Sequence, residues 1–441
     1  MNIINTRFIQ GLAVAFVACM SLQACSSGQT DSQGRITLNS LDGQYGSDTM
    51  TVSATLPMMP QRQKQSLYHI RDHSTVLNRK PVYLDSVLAP EYRVIQLETT
   101  VNSLVGEIDD ILVDDSLMFL VDGLGQRVMV FDMNGRFRNN VGMRGHGAGE
   151  YAYMSQAALD CRHKRVCIVD SYSERLLFYD YRGKFLGQEP RYFQFGDLAF
   201  LDDRRVLLTL PYQHTGYKAL DAFRLTVTDE RGMPVCGVLG NPGFPDLHTF
   251  AYSLQTPLHS TPDGVYYLDV LSPDTIWKVS GKGCVPFVAA DFGEPFTTLR
   301  AYREMTYEKY NERSKQVRHL YDDFAFSREF GYLRDADGCT IINLQNGKYL
   351  TGHMTRNRRL ANLLEFAFES YHKRTFLFDW ERNQFAKVCM ADETRELLDM
   401  MRENKDGEQM YQSWPQSDRA ILERLSPEDN PLIVVGTFRK F

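Results

Sequence analysis

The sequence predicts an all-β fold, a six-bladed β-propeller of four-stranded antiparallel blades with helical insertions in the C-terminal third. Two observations predict it. Short apolar runs recur with a period near 50 residues, and 12% of the residues are aromatic, with 23 Tyr and 26 Phe, a composition that favours strands. The 441-residue chain is 43% hydrophobic and 24% charged, which excludes disordered and polytopic membrane classes.

The chain begins with a predicted lipoprotein signal peptide, residues 1–24. Its apolar stretch, 11–20, is too short to span a bilayer, which takes about 20 residues. The segment 22–25 (LQAC) resembles the lipobox of bacterial lipoproteins, so we expect cleavage before Cys25 and lipidation of its thiol. Ser26 follows the cysteine, and in bacterial lipoproteins such a residue favours the outer membrane. Whether the protein faces the periplasm or the exterior stays open.

Residues 25–65 are rich in Ser, Gly, Gln, Thr and Asp and show little apolar periodicity. Such a composition cannot bury enough apolar surface to fold alone, so it predicts a flexible tether. The propeller is then expected to occupy residues 66–441.

The repeated unit is clearest at two motifs, 131–137 (FDMNGRF) and 179–185 (YDYRGKF). With two weaker copies, their glycines lie at positions 135, 183, 232 and 283, at spacings of 48, 49 and 51 residues. Each glycine stands between two apolar runs, which predicts a hairpin turn that needs positive φ. One copy therefore has the length of a four-stranded propeller blade.

The chain after these four copies is less regular, but it is consistent with six blades in total. Residues 376–383 predict a further hairpin, and one more blade is expected around 332–349, which makes six. Two charge-dense segments, 299–320 and 392–426, predict helical insertions. A strand near 93–98 and one near 431–438 are expected to pair in one blade, because such pairing removes open sheet edges.

Three segments carry a family resemblance: 93–100 (RVIQLETT), 142–151 (GMRGHGAGEY) and 428–435 (EDNPLIVV). They resemble the "IPLETT" start, the "RGxGPGEY" loop and the "EDNPLL" closing strand of six-bladed β-propeller lipoproteins of Gram-negative gut-type bacteria. The blade pattern is also similar to NHL repeats. The resemblance implies an architecture and a cell-envelope location, but no activity.

The Gly-rich loop 142–151 supplies the ligand-binding candidates, Arg144, His146 and Glu150. Such a loop reaches the channel face of a propeller, where its backbone N–H groups and Arg144 could meet an anion. The alternative is that the glycines only allow a tight crossover while Glu150 pairs locally. Asp122 and Asp170 repeat once per blade, which favours turn capping over catalysis.

Three histidines offer an alternative metal site. His146, His214 and His259 lie in different blades and could converge on the axis, as in metal-dependent lyases of the NHL type. The other interpretation is that these histidines are scattered over the surface and loops. No ligand spacing supports a metal, so we expect no cofactor.

Cys161 and Cys167 flank a five-residue segment of a predicted hairpin. A disulfide forms if they lie opposite each other. A register that pairs Cys161 with Val166 sends the two thiols to opposite faces. Both registers remain open.

Function divides into two hypotheses. The first is a lipid-anchored binding module that takes a small molecule, peptide, glycan or envelope protein at its channel face. The second is a metal-assisted lyase or hydrolase, which rests on fold analogy. No catalytic residue set is present in the sequence, so we expect a binding protein rather than an enzyme. A net charge of −6 without a basic block excludes nucleic acid as a partner, and membrane contact is expected through the lipid only.

Overall fold

The protein is represented by a computed structural model. It describes residues 29–30, 35–39, 49–53, 55–62, 66–74, 79–202, 205–209, 215, 217–229, 231–243, 258–269, 272–335, 338–355, 362–369 and 374–441. The predicted signal peptide, the lipidation residue Cys25 and His214 lie outside the described residues.

The chain is mostly β, with 47% strand and 17% helix. In chain order the strands are β1 (Gln29–Thr30), β2 (Arg35–Asn39), β3 (Thr49–Ser53), β4 (Tyr68–Arg71), β5 (Pro81–Tyr83), β6 (Leu88–Gln96), β7 (Ile108–Asp114), β8 (Leu117–Asp122), β9 (Arg127–Asp132), β10 (Phe137–Val141), β11 (Met154–Asp160), β12 (Arg165–Asp170), β13 (Arg175–Asp180), β14 (Phe185–Pro190), β15 (Leu198–Phe200), β16 (Arg205–Thr209), β17 (Phe223–Asp229), β18 (Pro234–Gly240), β19 (Leu258–Thr261), β20 (Gly264–Leu268), β21 (Thr275–Ser280), β22 (Gly283–Asp291), β23 (Leu320–Phe326), β24 (Phe330–Asp335), β25 (Gly338–Asn343), β26 (Tyr349–Thr355), β27 (Thr375–Asp379), β28 (Gln384–Cys389) and β29 (Leu432–Phe438).

The helices are short and lie mainly in the C-terminal third. They are α1 (Leu84–Val87), α2 (Lys218–Asp221), α3 (Leu299–Arg303), α4 (Tyr307–Gln316), α5 (Leu363–Glu369), α6 (Ala391–Arg402), α7 (Lys405–Gln412) and α8 (Gln416–Arg424). Side-chain caps begin α3, α4 and α7, where Thr298, Thr306 and Asn404 each accept a backbone N–H. The helical insertions predicted at 299–320 and 392–426 are confirmed, while α5 is not predicted by the sequence.

Six antiparallel sheets follow one another along the chain. Sheets 1 to 5 are β7–β10, β11–β14, β15–β18, β19–β22 and β23–β26, and sheet 6 has the order β27-β28-β29-β6. The predicted hairpin glycines lie in turns between the third and fourth strands, with φ of +80° at Gly135 and +81° at Gly183. The prediction of repeated four-stranded antiparallel units is therefore confirmed, whereas their arrangement as a propeller stays a prediction.

The N-terminal and C-terminal strands pair as the sequence predicts. In sheet 6 β29 is antiparallel to β6, and Ile433 lies opposite Ile95. The first three strands of sheet 6 thus lie near the end of the chain, whereas its fourth strand, β6, precedes sheet 1 in the sequence. This pairing holds the two ends of the folded chain together.

Residues 57–62, 68–71, 81–83 and 88–96 form a second set of edge contacts, which we call the N-terminal belt. Residues 57–59 bond to β18, and residues 60–62 bond to β22. Further on, β4 runs parallel to β22 and β5 runs parallel to β26. The belt therefore adds backbone partners to sheets 3, 4, 5 and 6 in turn.

Part of the segment predicted as a flexible tether, residues 25–65, has backbone partners in the belt. The backbone N–H of Met59 donates to the Gly237 carbonyl at 2.8 Å. Strands β1, β2 and β3, moreover, form a small antiparallel sheet of their own. Composition alone does not predict these bonds, because a sheet edge offers N–H and C=O groups to any extended segment, whatever its side chains.

The core is divided among the faces between consecutive sheets. Each sheet shares one buried apolar cluster with the sheet before it and another with the sheet after it. A sixth cluster joins sheet 6 to sheet 1 and contains Phe376, Ile433 and Ile111. Because both faces of each sheet are covered, the strands are rich in apolar residues without strict alternation.

Hydrogen bonds also join the first strands of neighbouring sheets near the ends where those strands begin. The five bonds are Gln156 to the Gly196 carbonyl, Leu258 N–H to Asp197 Oδ2 (3.0 Å), His259 Nε2 to the Asp322 carbonyl (3.0 Å), Thr375 N–H to Asp323 Oδ1 (3.0 Å) and Arg374 to the Asp109 carbonyl (2.7 Å). These bonds link the first strands of sheets 2 to 6 in chain order, and the first strand of sheet 6 to that of sheet 1.

The two ends of the sheets differ in their connections. At one end the first strand joins the second, and in sheets 1 to 5 the third joins the fourth, through two to five residues. At the other end lie the connections between the second and third strands and between sheets, and these carry α2–α8. We call the latter the loop end. Long loops on a rigid scaffold are where binding residues concentrate.

Candidate functional site

The Gly-rich loop 142–151 lies at the loop end between sheets 1 and 2 and is held by its own carboxylate. Glu150 accepts a hydrogen bond from the Gly147 N–H at 2.7 Å. The Glu150 side chain also fills the space where a Cβ on Gly145 would lie, 2.0 Å from that position. Arg175 of sheet 2 donates to the Glu150 carbonyl at 3.1 Å. These contacts match the local pairing of Glu150 that the sequence leaves open.

Arg144 and His146 extend from the same loop, and both residues are exposed. The backbone around them is fixed, since Gly145 N–H donates to the Tyr151 carbonyl at 2.9 Å. The structure thus brings Arg144, His146 and Glu150 together on one loop. Their role in ligand binding stays a prediction.

Asp122 and Asp170 are buried turn caps. Asp170 accepts hydrogen bonds from three backbone N–H groups in the loop before β11 and the turn after β12, at 3.0–3.2 Å. Asp122 makes the corresponding bonds in sheet 1. Burial raises the pKa of Asp170, but the bonds from Ala152 and Ser173 outweigh it and hold the pKa below its ordinary value. The turn-capping interpretation is confirmed.

An exposed apolar surface, which we call the apolar patch, covers the loop end of sheets 1 and 2. Large apolar side chains are usually buried, and a continuous exposed group of them marks an interaction surface. The patch consists of Val101 (88% exposed), Leu104 (45%), Leu124 (74%), Met143 (63%), Tyr153 (43%) and Tyr172 (69%).

Backbone contacts join parts of the apolar patch. The Leu124 side chain lies beside Gly106, 3.3 Å from the position of a Cβ there. Tyr151 donates its hydroxyl to the Gln126 carbonyl at 2.9 Å and its N–H to the Met143 carbonyl at 3.1 Å. These bonds fix the turn after β8 against the loop that carries Met143. The patch is therefore built on ordered backbone rather than on independent loops.

Ionisable side chains collect where the first strands begin. This central polar cluster has one member from each of five sheets, and its members are Asp110, Asp197, His259, Asp322 and Arg374. Asp109 connects it to the apolar patch: its carbonyl accepts the Arg374 bond, and its carboxylate lies against Gly123, next to Leu124. The polar cluster and the apolar patch are thus neighbours at the loop end.

Burial controls the charges in the central polar cluster. Burial raises the pKa of Asp197 to about 7, although backbone hydrogen bonds from Leu258 and Leu198 favour the charged form and oppose this shift. It also lowers the pKa of His259 to about 3, and the nearby charge of Arg374 adds to this shift. Burial raises the pKa of Asp322 as well, and Arg374 opposes that change. Near neutral pH the imidazole is uncharged and Asp197 is poised to titrate.

The metal-site alternative gains no support from the described residues. Within them, no group of three His, Cys, Asp or Glu side chains is placed to hold a metal ion. His259 donates from Nε2 to the Asp322 carbonyl, and its ring packs against Phe324 in a tilted arrangement with ring centroids 4.2 Å apart. His146 is on the exposed loop instead, and His214 lies outside the described range.

The predicted disulfide between Cys161 and Cys167 is absent, because both thiols are free. The register of β11 and β12 places Ala158 opposite Cys167, while Cys161 lies in the turn beyond the pair Asp160–Arg165. The two cysteines therefore do not face each other, and the alternative register with Val166 opposite Cys161 is also wrong.

The sequence predicts neither the apolar patch nor most of the central polar cluster. Apolar residues in loops are common singly, so only the fold reveals that six of them share one surface. A signal for the polar cluster does exist: Asp110, Asp197 and Asp322 each lie near the start of the first strand of a repeat. Aligning repeat starts, rather than repeat turns, could have revealed them.

These features define a class of protein: a β-rich scaffold of repeated four-stranded sheets with exposed apolar side chains at one end. The chain belongs to the family described as "Domain of unknown function (DUF4934)", whose model matches residues 69–437. No curated protein matches the chain.

Two solved structures are similar to the chain. One is a Bacteroides fragilis protein described as exported, with 16% identity, a TM-score of 0.63, and coverage of 85% of this chain and 99% of that chain. The other is a member of the DUF4221 family from Bacteroides vulgatus, with 9% identity, a TM-score of 0.46, and coverage of 80% and 97%. The first likeness supports the fold. In the part of the chain described here, no helix has the length and apolar character needed to cross a bilayer.

Proposed function

We propose that this protein is a lipid-anchored β-propeller of the cell envelope that binds a partner through its loop end. Six sheets in chain order, with six apolar clusters that include one between sheets 6 and 1, fit a ring of six blades. The pairing of β6 with β29 would close that ring. The binding end is then the channel face, where the first strands begin.

The apolar patch is the observation that carries the proposed binding function. Its six side chains are 43–88% exposed, and leaving so much apolar surface in water is unfavourable unless a partner covers it. The neighbouring polar cluster, with Arg374 among carboxylates, would give such a partner a defined orientation. A catalytic role needs reacting groups in contact, and the described residues offer a surface instead.

A protein or peptide is the partner class that fits this surface best. Protein interfaces are enriched in Tyr, Met and Arg, and the patch supplies Tyr153, Tyr172 and Met143, with Arg144 on the same loop. A glycan or a small molecule, also open from the sequence, would call for a deeper polar pocket. We therefore place an envelope protein, or an extended peptide from one, on the loop end.

Cross-linking in intact cells tests this proposal. Leu124→Asp and Tyr172→Asp each place a charge in the patch, and burying that charge against a partner costs several kcal/mol, so the yield of cross-linked partner should fall about tenfold or more. Mass spectrometry of the cross-linked products gives the yield. Val235→Asp is the control, because Val235 is 46% exposed on β18, away from the patch, and its yield should match that of the wild type.

Two results contradict the proposed interface. Equal partner yields from the wild type and both patch variants would remove the patch from the interface. Cross-linking only to glycan or to no macromolecule would exclude a protein partner.

We further propose that Cys25 is lipidated and holds the protein in the outer membrane. Cys25→Ala should move the protein from the membrane fraction to the soluble fraction, because each buried lipid CH₂ contributes about 0.8 kcal/mol and several acyl chains anchor a protein firmly. Cys161→Ala, at an exposed cysteine, should leave the protein in the membrane fraction. Retention of the Cys25→Ala variant in the membrane would refute the anchor.

A further inference from the structure

Sheets 2 and 3 enclose a cleft that we call the lateral cleft. Aromatic side chains line much of it, with Leu176 and Leu208 on opposite walls, and it holds about 600 Å³ of empty space when the open solvent at its mouth is counted. The aromatic residues are Phe178, Tyr192, Phe193, Phe195 and Phe200. None of the apolar-patch residues lines this cleft, so it is separate from the proposed binding end.

Three arginines also line the lateral cleft, and two of them are paired within their own sheets. Arg165 donates to Asp160 at 2.7 Å, and Arg205 donates from Nε to Asp202 at 2.7 Å. Arg165 lies over the Phe178 ring, 4.5 Å from its centroid. These two guanidinium groups therefore need no further partner.

Arg191 differs from the other two arginines. Its guanidinium lies over the Phe195 ring at 4.9 Å, and its Nε is buried without a hydrogen-bond partner. Burial lowers the pKa of Arg191, and the charges of Glu174 and Asp170 oppose that shift. Asp170 already accepts a hydrogen bond of 3.2 Å from Arg175. A buried donor left unpaired is destabilising, and more so when it is charged.

We propose that the lateral cleft binds a small carboxylate that carries an aromatic or short alkyl group, with Arg191 as its anion partner. The planar guanidinium matches the two oxygens of a carboxylate, and a bidentate pair is among the stronger contacts available to arginine. A ring or alkyl chain would pack on Phe178 and Phe193. One ligand would thus pair with the Arg191 guanidinium and fill the apolar part of the cleft.

Isothermal titration calorimetry of the purified protein with benzoate and with octanoate tests the proposal. At least one of them should bind saturably at millimolar concentration, and benzylamine, which has a similar ring but the opposite charge, should not bind. Arg191→Gln should weaken the binding about tenfold or more, since the charged contact is lost. Arg182→Gln, at an exposed arginine in the turn between β13 and β14, is the matched control and should bind as the wild type does.

Arg191→Lys keeps the charge but loses the bidentate geometry, so an affinity between those of the wild type and Arg191→Gln is expected. It also provides a folded variant if Arg191→Gln does not fold, which circular dichroism will establish. The proposal is overturned if neither carboxylate binds saturably, if benzylamine binds equally well, or if the arginine variants that fold retain the wild-type affinity.

Discussion

At the scale of single residues, burial rather than residue type sets the charges at the loop end. His259 and Asp197 illustrate the two directions: burial lowers the pKa of the imidazole to about 3 and raises that of the carboxyl to about 7. Both groups therefore favour their neutral forms in the folded protein. A partner that brings charge to this cluster would change those protonation states as it binds.

The shift at His259 predicts a pH-dependent contribution to stability. The folded protein keeps this imidazole neutral, whereas the unfolded chain protonates it below about pH 6.5, so the contribution of His259 falls as the pH decreases towards 3. Relative to His259→Gln, the wild-type free energy of unfolding should drop by about 2 kcal/mol between pH 7.5 and pH 5. Urea unfolding followed by circular dichroism measures the free energy of unfolding of both proteins. The difference between the two values removes the contribution of Asp197, which both proteins contain.

His146→Gln is the control for this titration. It removes an imidazole that is exposed on the loop, so its difference from the wild type should stay nearly constant over the same range. A difference between wild type and His259→Gln that does not change with pH would show that His259 is not held neutral by the fold.

At the scale of elements, turns could be predicted from the sequence but edge contacts could not. The Asp and Gly pattern at residues 132–135 and 180–183 encodes a hairpin locally, because Asp accepts backbone N–H groups and Gly supplies positive φ. The structure has the same turns, with Asp132 and Asp180 each accepting two backbone N–H bonds. Such signals are short in range, which is why the repeat count could be read without a structure.

The N-terminal belt illustrates what the sequence does not encode locally. Residues 57–62 carry Pro, Met and Gln in no alternating pattern, yet they bond to β18 and β22. Their partners are more than 170 residues away along the chain, and backbone pairing leaves no mark on side-chain choice. The apolar patch is hidden for the same reason, since it is assembled from turns of two repeats. The candidate loop 142–151, by contrast, could be identified from its glycines alone.

At the scale of the whole molecule, the account depends on how the chain closes. Through the six apolar clusters, each sheet packs against one neighbouring sheet on either face. Sheet 6 is completed by β6, which precedes sheet 1 in the chain. In the propeller proposed above, such an arrangement would leave no open face, so closure would contribute to every interface at once. The loop end can act as one surface only if the sheets are held in that order.

Thermal unfolding of two truncated chains tests closure most directly. A chain that begins at residue 66 keeps β4, β5 and β6 and should melt cooperatively, close to the wild type. A chain that begins at residue 97 loses β6, including Leu88 (4% exposed) and Ile95 (3% exposed). Each such side chain contributes about 1.5–3 kcal/mol, against a total stability of about 5–15 kcal/mol. The shorter chain should therefore show no cooperative transition, and a melting temperature equal to that of the longer chain would contradict closure by β6.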